Sequence, residues 1–457
     1  MNEEIKKKLS EYKRKNISRV KLAITDMDGV LRGKYIALDK FESILNGTGG
    51  FCDCVFGWDS ADVLYDNAAF TGWHTAYPDA HFKIDLSTER FLPDENLPFF
   101  IADFVAEDGK SEHPICPRNL LKRVLSKAKK MGFGVKLAFE YEFFLFDETP
   151  HSIREKNYQN LKPFTPGMFG YSILRNSVQS DLSNEFMDYC EAIGVPIEGL
   201  HCETGPGVWE AAIKYDDALK AVDRASLFKT FAKVFFQKRQ LMATFMARWN
   251  IEYPGQSGHI HQSLYSLKNK KPVFYDRSKD HSMSEIMQSY VAGQVKYIKS
   301  FLSMTSPTIN SYSRLVKGFW APTAATWGVE NRTTALRVIP GSEKSQRVEF
   351  RVGSADANPY LAAAAVIGAG LMGIEKGLKL EKPVKGNAYE VQERLPESVQ
   401  FPTNLRDSVR NLKASKEARE LFGEEFVEHF ISSREWEVRE YEKAITDWQL
   451  KRYFEII

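Results

Sequence analysis

Three short strand-like runs carry acids, histidines and arginines at a spacing of two: EYEFF at 140–144, GHIH at 258–261 and RVEFR at 347–351. Side chains at i and i+2 of a strand point to the same side. Glu140 with Glu142, His259 with His261, and Arg347 with Glu349 and Arg351 therefore form polar rows. The intervening residues, Phe139, Tyr141, Phe143, Ile260, Val348, Phe350 and Val352, are apolar and suit a core. Two carboxylates about 4 Å apart repel by roughly 4 kcal/mol at an effective dielectric of 20. An ion-paired strand face would explain one such row; three rows in one chain require cations among them and suggest a site for metal and phosphate.

Glu203 and Glu210 bracket TGPGVW, a Gly-Pro loop able to bring both carboxylates to one point. With Glu140, Glu142, His259 and Glu349 they make six potential ligands, enough for two divalent cations that keep open positions. Mostly oxygen donors favour magnesium or manganese over zinc. Residues 314–351 hold seven basic side chains, Arg314, Lys317, Arg332, Arg337, Lys344, Arg347 and Arg351, against three acids. Cations beside acids suit phosphoryl transfer, where metals and guanidinium groups stabilise charge on the moving group. No GxxxxGK[ST] run is present, so ATP must be held another way.

These rows need elements to carry them. At 457 residues the chain exceeds one ordinary core, so two domains or a large barrel with an appendage is expected. Short β-rich runs between Gly, Asn, Asp and Pro turns fill residues 18–107, and a second unit begins near Ser111, dividing the chain at 1–110 and 111–457. Pro117 suits the first turn of a helix through RNLLKRVLSKAKKM, with Gly132 as its stop. Helical periodicity covers residues 216–243, and a C-terminal amphipathic helix is expected over 433–454 with Tyr441, Ala444, Ile445 and Trp448 on one face. The lysine-rich start reads as a solvated helix rather than a signal peptide, which places the chain in the cytosol.

A net charge of +2 gives no reason for a nucleic-acid or anionic-membrane partner, and no apolar run approaches the roughly 18 residues of a membrane span. Five cysteines, Cys52, Cys54, Cys116, Cys190 and Cys202, fit reduced thiols; the lone CxC is too little for zinc. Two motifs mislead. LAITDMDGVL, with Asp26 and Asp28, resembles the nucleophile motif of haloacid-dehalogenase-type phosphatases, the runner-up from another class. No GDxxxD follows to hold magnesium, so a turn with a solvated aspartate pair is expected. Gly368, Gly370 and Gly373 match GxGxxG, but an alanine-rich run continues through them, as in a closely packed helix rather than a dinucleotide site.

EYEFFLF, HCETGPGVWE, GHIHQSL, NSYSRLVKGFWAP, ENRTTALRVIP, SQRVEFR and ADANPYLAAAA resemble, in order, the signatures of the glutamine synthetase family. The resemblance implies an α+β fold: a small N-terminal β-grasp-like domain, then a catalytic domain built on an open barrel-like antiparallel sheet. It implies that Glu142, Glu203 and Glu210 hold one metal while Glu140, His259 and Glu349 hold the other. His261 and Ser263 would lie beside the nucleotide, and Arg337, Lys344 and Arg347 would meet its phosphates. Arg314 and Arg351 would grip the carboxylates of L-glutamate, Arg332 would sit near the transferred phosphate, and Gly255 would line the glutamate site. Subunits of this kind assemble into stacked homo-oligomeric rings, two hexamers in the common case, with sites between neighbours; Asp59 is the aspartate expected to cross that interface.

The chain departs from the pattern at two positions. Ammonia-using members resembling it carry glutamate where Trp320 stands, and many carry glutamine where Val208 stands. An indole cannot accept a proton, but it can face a cation or pack on the body of a larger amine. The resemblance is therefore nearest to the branch that makes γ-glutamyl amides of polyamines or other amines. An ordinary ammonia-using glutamine synthetase is the alternative, and a non-catalytic relative such as lengsin is a third reading, disfavoured because all six metal-ligand positions are kept.

Overall fold

A computed structural model describes residues 3–457. Residues 1 and 2 of the lysine-rich start lie outside it. From Glu3 to Arg14 that start is a helix, and Leu9 and Tyr12 are buried, so the helix is docked on one face rather than wholly solvated.

The first sheet has five strands, β1 (Arg19–Thr25), β2 (Leu31–Ala37), β3 (Gly49–Cys52), β4 (Asp79–Leu92) and β5 (Leu97–Phe104), in the order β2-β1-β5-β4-β3 with β1 and β5 parallel. Alternation sends its two faces into different cores. Leu22, Ile24, Phe100 and Phe104 pack with Tyr12 and Phe41 of the flanking helices, whereas Ala23, Phe99 and Ile101 join the main core. This is the β-grasp-like unit.

The helix Pro117–Lys130 follows, opened by Pro117 and closed just before Gly132, whose φ of +86° favours glycine. Nine strands then build the second sheet: β6 (Phe133–Phe146), β7 (Ile197–Cys202), β8 (Val208–Ile213), β9 (Asp216–Asp217), β10 (Met242–Thr244), β11 (Gly258–Ser266), β12 (Trp327–Val329), β13 (Leu336–Ile339) and β14 (Arg347–Phe350). Its main path runs β12-β13-β14-β11-β6-β8-β7, antiparallel except for β12 with β13, and curls into a half-barrel surrounded by helices. The apolar row of β6 forms the convex side: Tyr141 and Phe143 pack against Phe228 of the helix Ala218–Gln237.

Two helical expectations are corrected. Periodicity over 216–243 resolves into the helix Ala218–Gln237 with strands β9 before it and β10 after, because β-paired backbone competes for the ends. The expected helix over 433–454 is two helices, Glu424–Lys443 and Asp447–Tyr453, interrupted at Ala444 and restarted by a Thr446 cap. Tyr441, Ile445 and Trp448 are exposed rather than packed into the core.

The DMDG turn is also corrected. Asp26 is buried, accepting hydrogen bonds from the backbone N–H groups of Asp28 and Val30 and from Arg32, and Asn358 donates to the carbonyls of Asp26 and Met27. Asp28 pairs with Arg434, 2.5 Å away. The aspartates tie the first sheet to the rest of the chain, as does Arg118, which reaches Asp85 and Asp103 on one side and Asp223 on the other.

The glycine-rich helix Pro359–Glu375 lies against the helix Glu285–Thr305. A Cβ at Gly373 would stand 2.1 Å from the Ser289 carbonyl oxygen, and one at Gly370 would stand 2.2 Å from the Tyr290 ring. Close helix packing thus explains the GxGxxG match. Gly373→Ala is expected to destabilise the protein by about 2 to 3 kcal/mol; a urea midpoint equal to wild type would contradict that packing role.

Candidate active site

The register of the second sheet turns separate sequence rows into one stripe. Glu142 lies opposite Glu210, Glu140 opposite His259, His261 opposite Glu349, and Glu349 opposite Arg337. Directly opposed residues share a face, so the stripe crosses β8, β6, β11, β14 and β13 on the concave side. Glu203 joins it from the loop after β7, which is tied shut by the Glu203 N–H donating to the Val208 carbonyl at 3.0 Å. Gly207 in that loop has φ +72°, and a Cβ there would meet the Leu145 carbonyl oxygen at 2.4 Å.

Two groups of ligand atoms come together, with the atoms of each group within 4.8 Å of one another: Glu140, His259 and Glu349 in one, and His201, Glu203 and Glu210 in the other. The first is the trio expected from the sequence. In the second, His201 stands beside Glu203 and Glu210, while Glu142 lines the cavity that Glu203 and Glu210 also line and accepts the Ser257 N–H at 2.6 Å. His201 was missed, although HCE repeats the i, i+2 spacing and His201 sits opposite Glu210. Tyr171, stacked on His201 at 4.4 Å, comes from a loop with no sequence signal.

The electrostatics are those of a cation site. Burial and the neighbouring Glu142, Glu140, Glu203 and Glu349 push the Glu210 carboxyl up to about 9. Burial would raise Glu140 as well, but His261 and His259 outweigh it and hold that carboxyl well below its usual range. Burial and the Arg351 charge lower His259, against the opposing pull of Glu140, 3.8 Å from its Nδ1, and of Glu349. Glu349 is kept ionised against burial by His259 and Arg351, and Arg337 donates to its other oxygen at 3.1 Å. Hard oxygen donors with one imidazole per group fit magnesium or manganese.

Two cavities flank the stripe and share Glu140. The larger, about 580 Å³, is lined by Glu140, His259 and Glu349 of the first group and by Glu203 and Glu210 of the second, though not His201, together with Gly255, Val208, Trp320, Arg332, Arg337 and Arg351. The smaller, about 310 Å³, is lined by His261, Ser263, Lys344 and Arg347, and also by Lys136 and Tyr215, which the sequence reading did not single out. Two expected residues reach neither cavity. Arg314 is buried and donates to the Val352 and Arg351 carbonyls at 2.9 and 3.0 Å, beneath Gly255, so it supports the floor. Asp59 accepts the Ala61 and Val63 N–H groups and, at 2.9 Å, the Trp436 indole of its own chain.

Residues 114–453 match the model of the glutamine synthetase catalytic domain. The chain belongs to the glutamine synthetase family. It is accordingly a ligase that forms carbon–nitrogen bonds. It is 47% identical to a type-1 glutamine synthetase of Dictyostelium discoideum over 96% of this chain and 84% of that protein. It is also 36% identical to a glutamate–isopropylamine ligase of a Pseudomonas species over the whole of both chains. The fold superposes on a solved structure of GmaS without ligand with a TM-score of 0.84 and 26% identity, over 98% of this chain and 99% of that one. The phosphatase reading of the DMDG turn falls away. No helix among the described residues is long and apolar enough to cross a membrane.

A pH dependence follows from Glu210. In the metal-free protein the folded state keeps its proton to about 9, whereas an unfolded glutamate releases it near 4.5, so folding stability should fall as pH rises through that window. A bound divalent cation replaces the proton. Magnesium or manganese should therefore raise Tm more at about pH 9 than at about pH 6; equal increments at both would contradict the assignment of Glu210 to a cation site.

Proposed function

We propose that this ligase activates the γ-carboxylate of L-glutamate with ATP and joins it to an organic amine, as a γ-glutamyl amide synthetase. The observation that carries this reading is Trp320: its indole lines the same cavity as Glu140, His259, Glu349, Glu203 and Glu210, offering no acceptor for an ammonium proton and an aromatic surface for an amine substituent. Full-length similarity to a relative named for isopropylamine supports it. The second reading, an ammonia-using glutamine synthetase, is favoured by the Dictyostelium relative.

In the reaction proposed, Glu140, His259 and Glu349 hold one divalent cation, and Glu142, Glu203 and Glu210, with His201 beside them, hold the other. Magnesium or manganese there supplies positive charge against the phosphates of ATP. The nucleotide occupies the smaller cavity, against His261, Ser263, Lys344 and Arg347. Arg337 and Arg332 face the transferred phosphoryl group, and Arg351 with Gly255 receives glutamate, the Arg314 side chain supporting them from below.

A γ-carboxylate oxygen of glutamate attacks the γ-phosphorus, and ADP leaves. The neutral amine nitrogen then attacks the acyl carbon of γ-glutamyl phosphate, inorganic phosphate departs, and a base takes the amine proton. Asp59 of a neighbouring copy is the base we assign, in a ring-shaped cytoplasmic homo-oligomer whose 1–110 domain completes the site of the next subunit's 111–457 domain.

The deciding experiment is ADP release with ATP, magnesium and L-glutamate, comparing ammonium, ethanolamine, isopropylamine, putrescine and spermidine. An organic amine should give the highest kcat/KM; a preference for ammonium would establish the second reading, and silence with all would revive a non-catalytic role. Glu349→Ala and Glu142→Ala should each abolish ADP formation, and full turnover by either would refute its place as a ligand. Trp320→Glu should shift preference towards ammonium by about tenfold or more, and an unchanged ratio of kcat/KM values would leave Trp320 without a part in selection.

A further inference from the structure

Two loops meet at the larger cavity. One, residues 247–256, ends in Gly255 at the cavity wall and is closed at its base by the Gln256 N–H donating to the Ala247 carbonyl at 2.7 Å. The other, residues 315–320, carries Trp320 at its tip. Trp320 has φ +61° after Gly318 at +82°, and the residue is 59% exposed. A bulky residue in the left-handed region is strained and persists only where its surroundings enforce it.

A single guanidinium lies between the two loops. Arg248 is buried, and its Nε donates to the carbonyls of Asn250 and Tyr253 at 3.2 and 2.9 Å, its Nη2 to that of Ile251 at 2.6 Å, and its Nη1 to that of Ser313 at 2.8 Å. Its face stacks on Phe319, 4.3 Å from the ring centre, one residue before Trp320. Its backbone is clamped as well, by Asn310, whose side chain accepts the Arg248 N–H and donates to the Arg248 carbonyl, each at 2.8 Å. Ser313 precedes Arg314, the residue beneath Gly255. Burying a cation against carbonyls and an aromatic ring is expensive unless the fork geometry is needed, and only a planar guanidinium offers five fixed N–H donors.

We propose that Arg248 is a positioning residue that sets the Gly255 loop and the Trp320 loop relative to each other, so that glutamate binding and amine selection depend on one side chain. The amine half of this inference rests on the reading of Trp320 given above; the glutamate half does not. Arg248 touches no reacting atom. Its influence passes through Phe319 to Trp320 and through the carbonyls of residues 250–253 to Gly255.

Arg248→Lys keeps the charge but cannot span four carbonyls. It should raise KM for L-glutamate and for isopropylamine or ethanolamine by about tenfold each, with KM for ATP within about twofold of wild type. Phe319→Leu loosens only the second loop and should shift the amine alone. In the double variant Arg248→Lys with Trp320→Ala, the amine effect should not exceed that of Trp320→Ala, while the glutamate effect persists. An equal rise in KM for ATP, or unchanged glutamate and amine constants in folded Arg248→Lys, would overturn the proposal. Should Arg248→Lys fail to fold by circular dichroism, Phe319→Leu decides: an unchanged amine preference refutes the clamp. If the wild type uses no organic amine, the proposed function fails by itself, and calorimetric L-glutamate affinity in Arg248→Lys still decides the glutamate half.

Discussion

Like charge gathered on the concave face of a curled sheet is the constraint from which the site follows. Glu140, Glu142, Glu203, Glu210 and Glu349 all line one cavity, and burial with mutual repulsion lifts Glu210 to about 9. No packing of protein alone satisfies such a face. Imidazoles and guanidinium groups offset part of it, through His259 and His261 beside Glu140 and through Arg337 and Arg351 around Glu349. The remainder is an affinity for divalent cations and for the phosphates they carry.

That face survives because the opposite one is strongly apolar. Phe139, Tyr141, Phe143 and Leu145 of β6 sit in the main core with Phe228 and Phe186, so slipping the strand by one residue would bury Glu140 and Glu142 and expose the apolar row. Register is thus enforced from behind, and the stripe from Glu210 to Arg337 needs only the ladder to assemble. Buried polar ties then hold the sheet to its surroundings: Arg118 with three aspartates, and Asn358 with the DMDG turn.

Around this rigid centre the larger cavity is completed by loops. Trp320 and Tyr171 each hold a positive φ at the larger cavity, and the smaller cavity opens on the other side of Glu140. Loops can vary without disturbing the strands that carry the acidic stripe.

What the sequence by itself determined is the period-two chemistry of its strands. EYEFF, GHIH and RVEFR declared both their polar and apolar rows, and the helix from Pro117 and the packed glycines at 368–373 were legible because dihedral preference and residue size act locally. What only the tertiary structure decided lies between distant segments: that His201 joins Glu203 and Glu210, that Arg314 turns to backbone carbonyls instead of the cavity, that Asp26 is buried under Asn358, and that the C-terminal helix breaks at Ala444. Each depends on which backbone or charge a side chain meets after folding, and no spacing along one chain encodes that meeting. Strand register, in contrast, repeats a local rule across the sheet, which is why the polar rows are legible in the sequence alone.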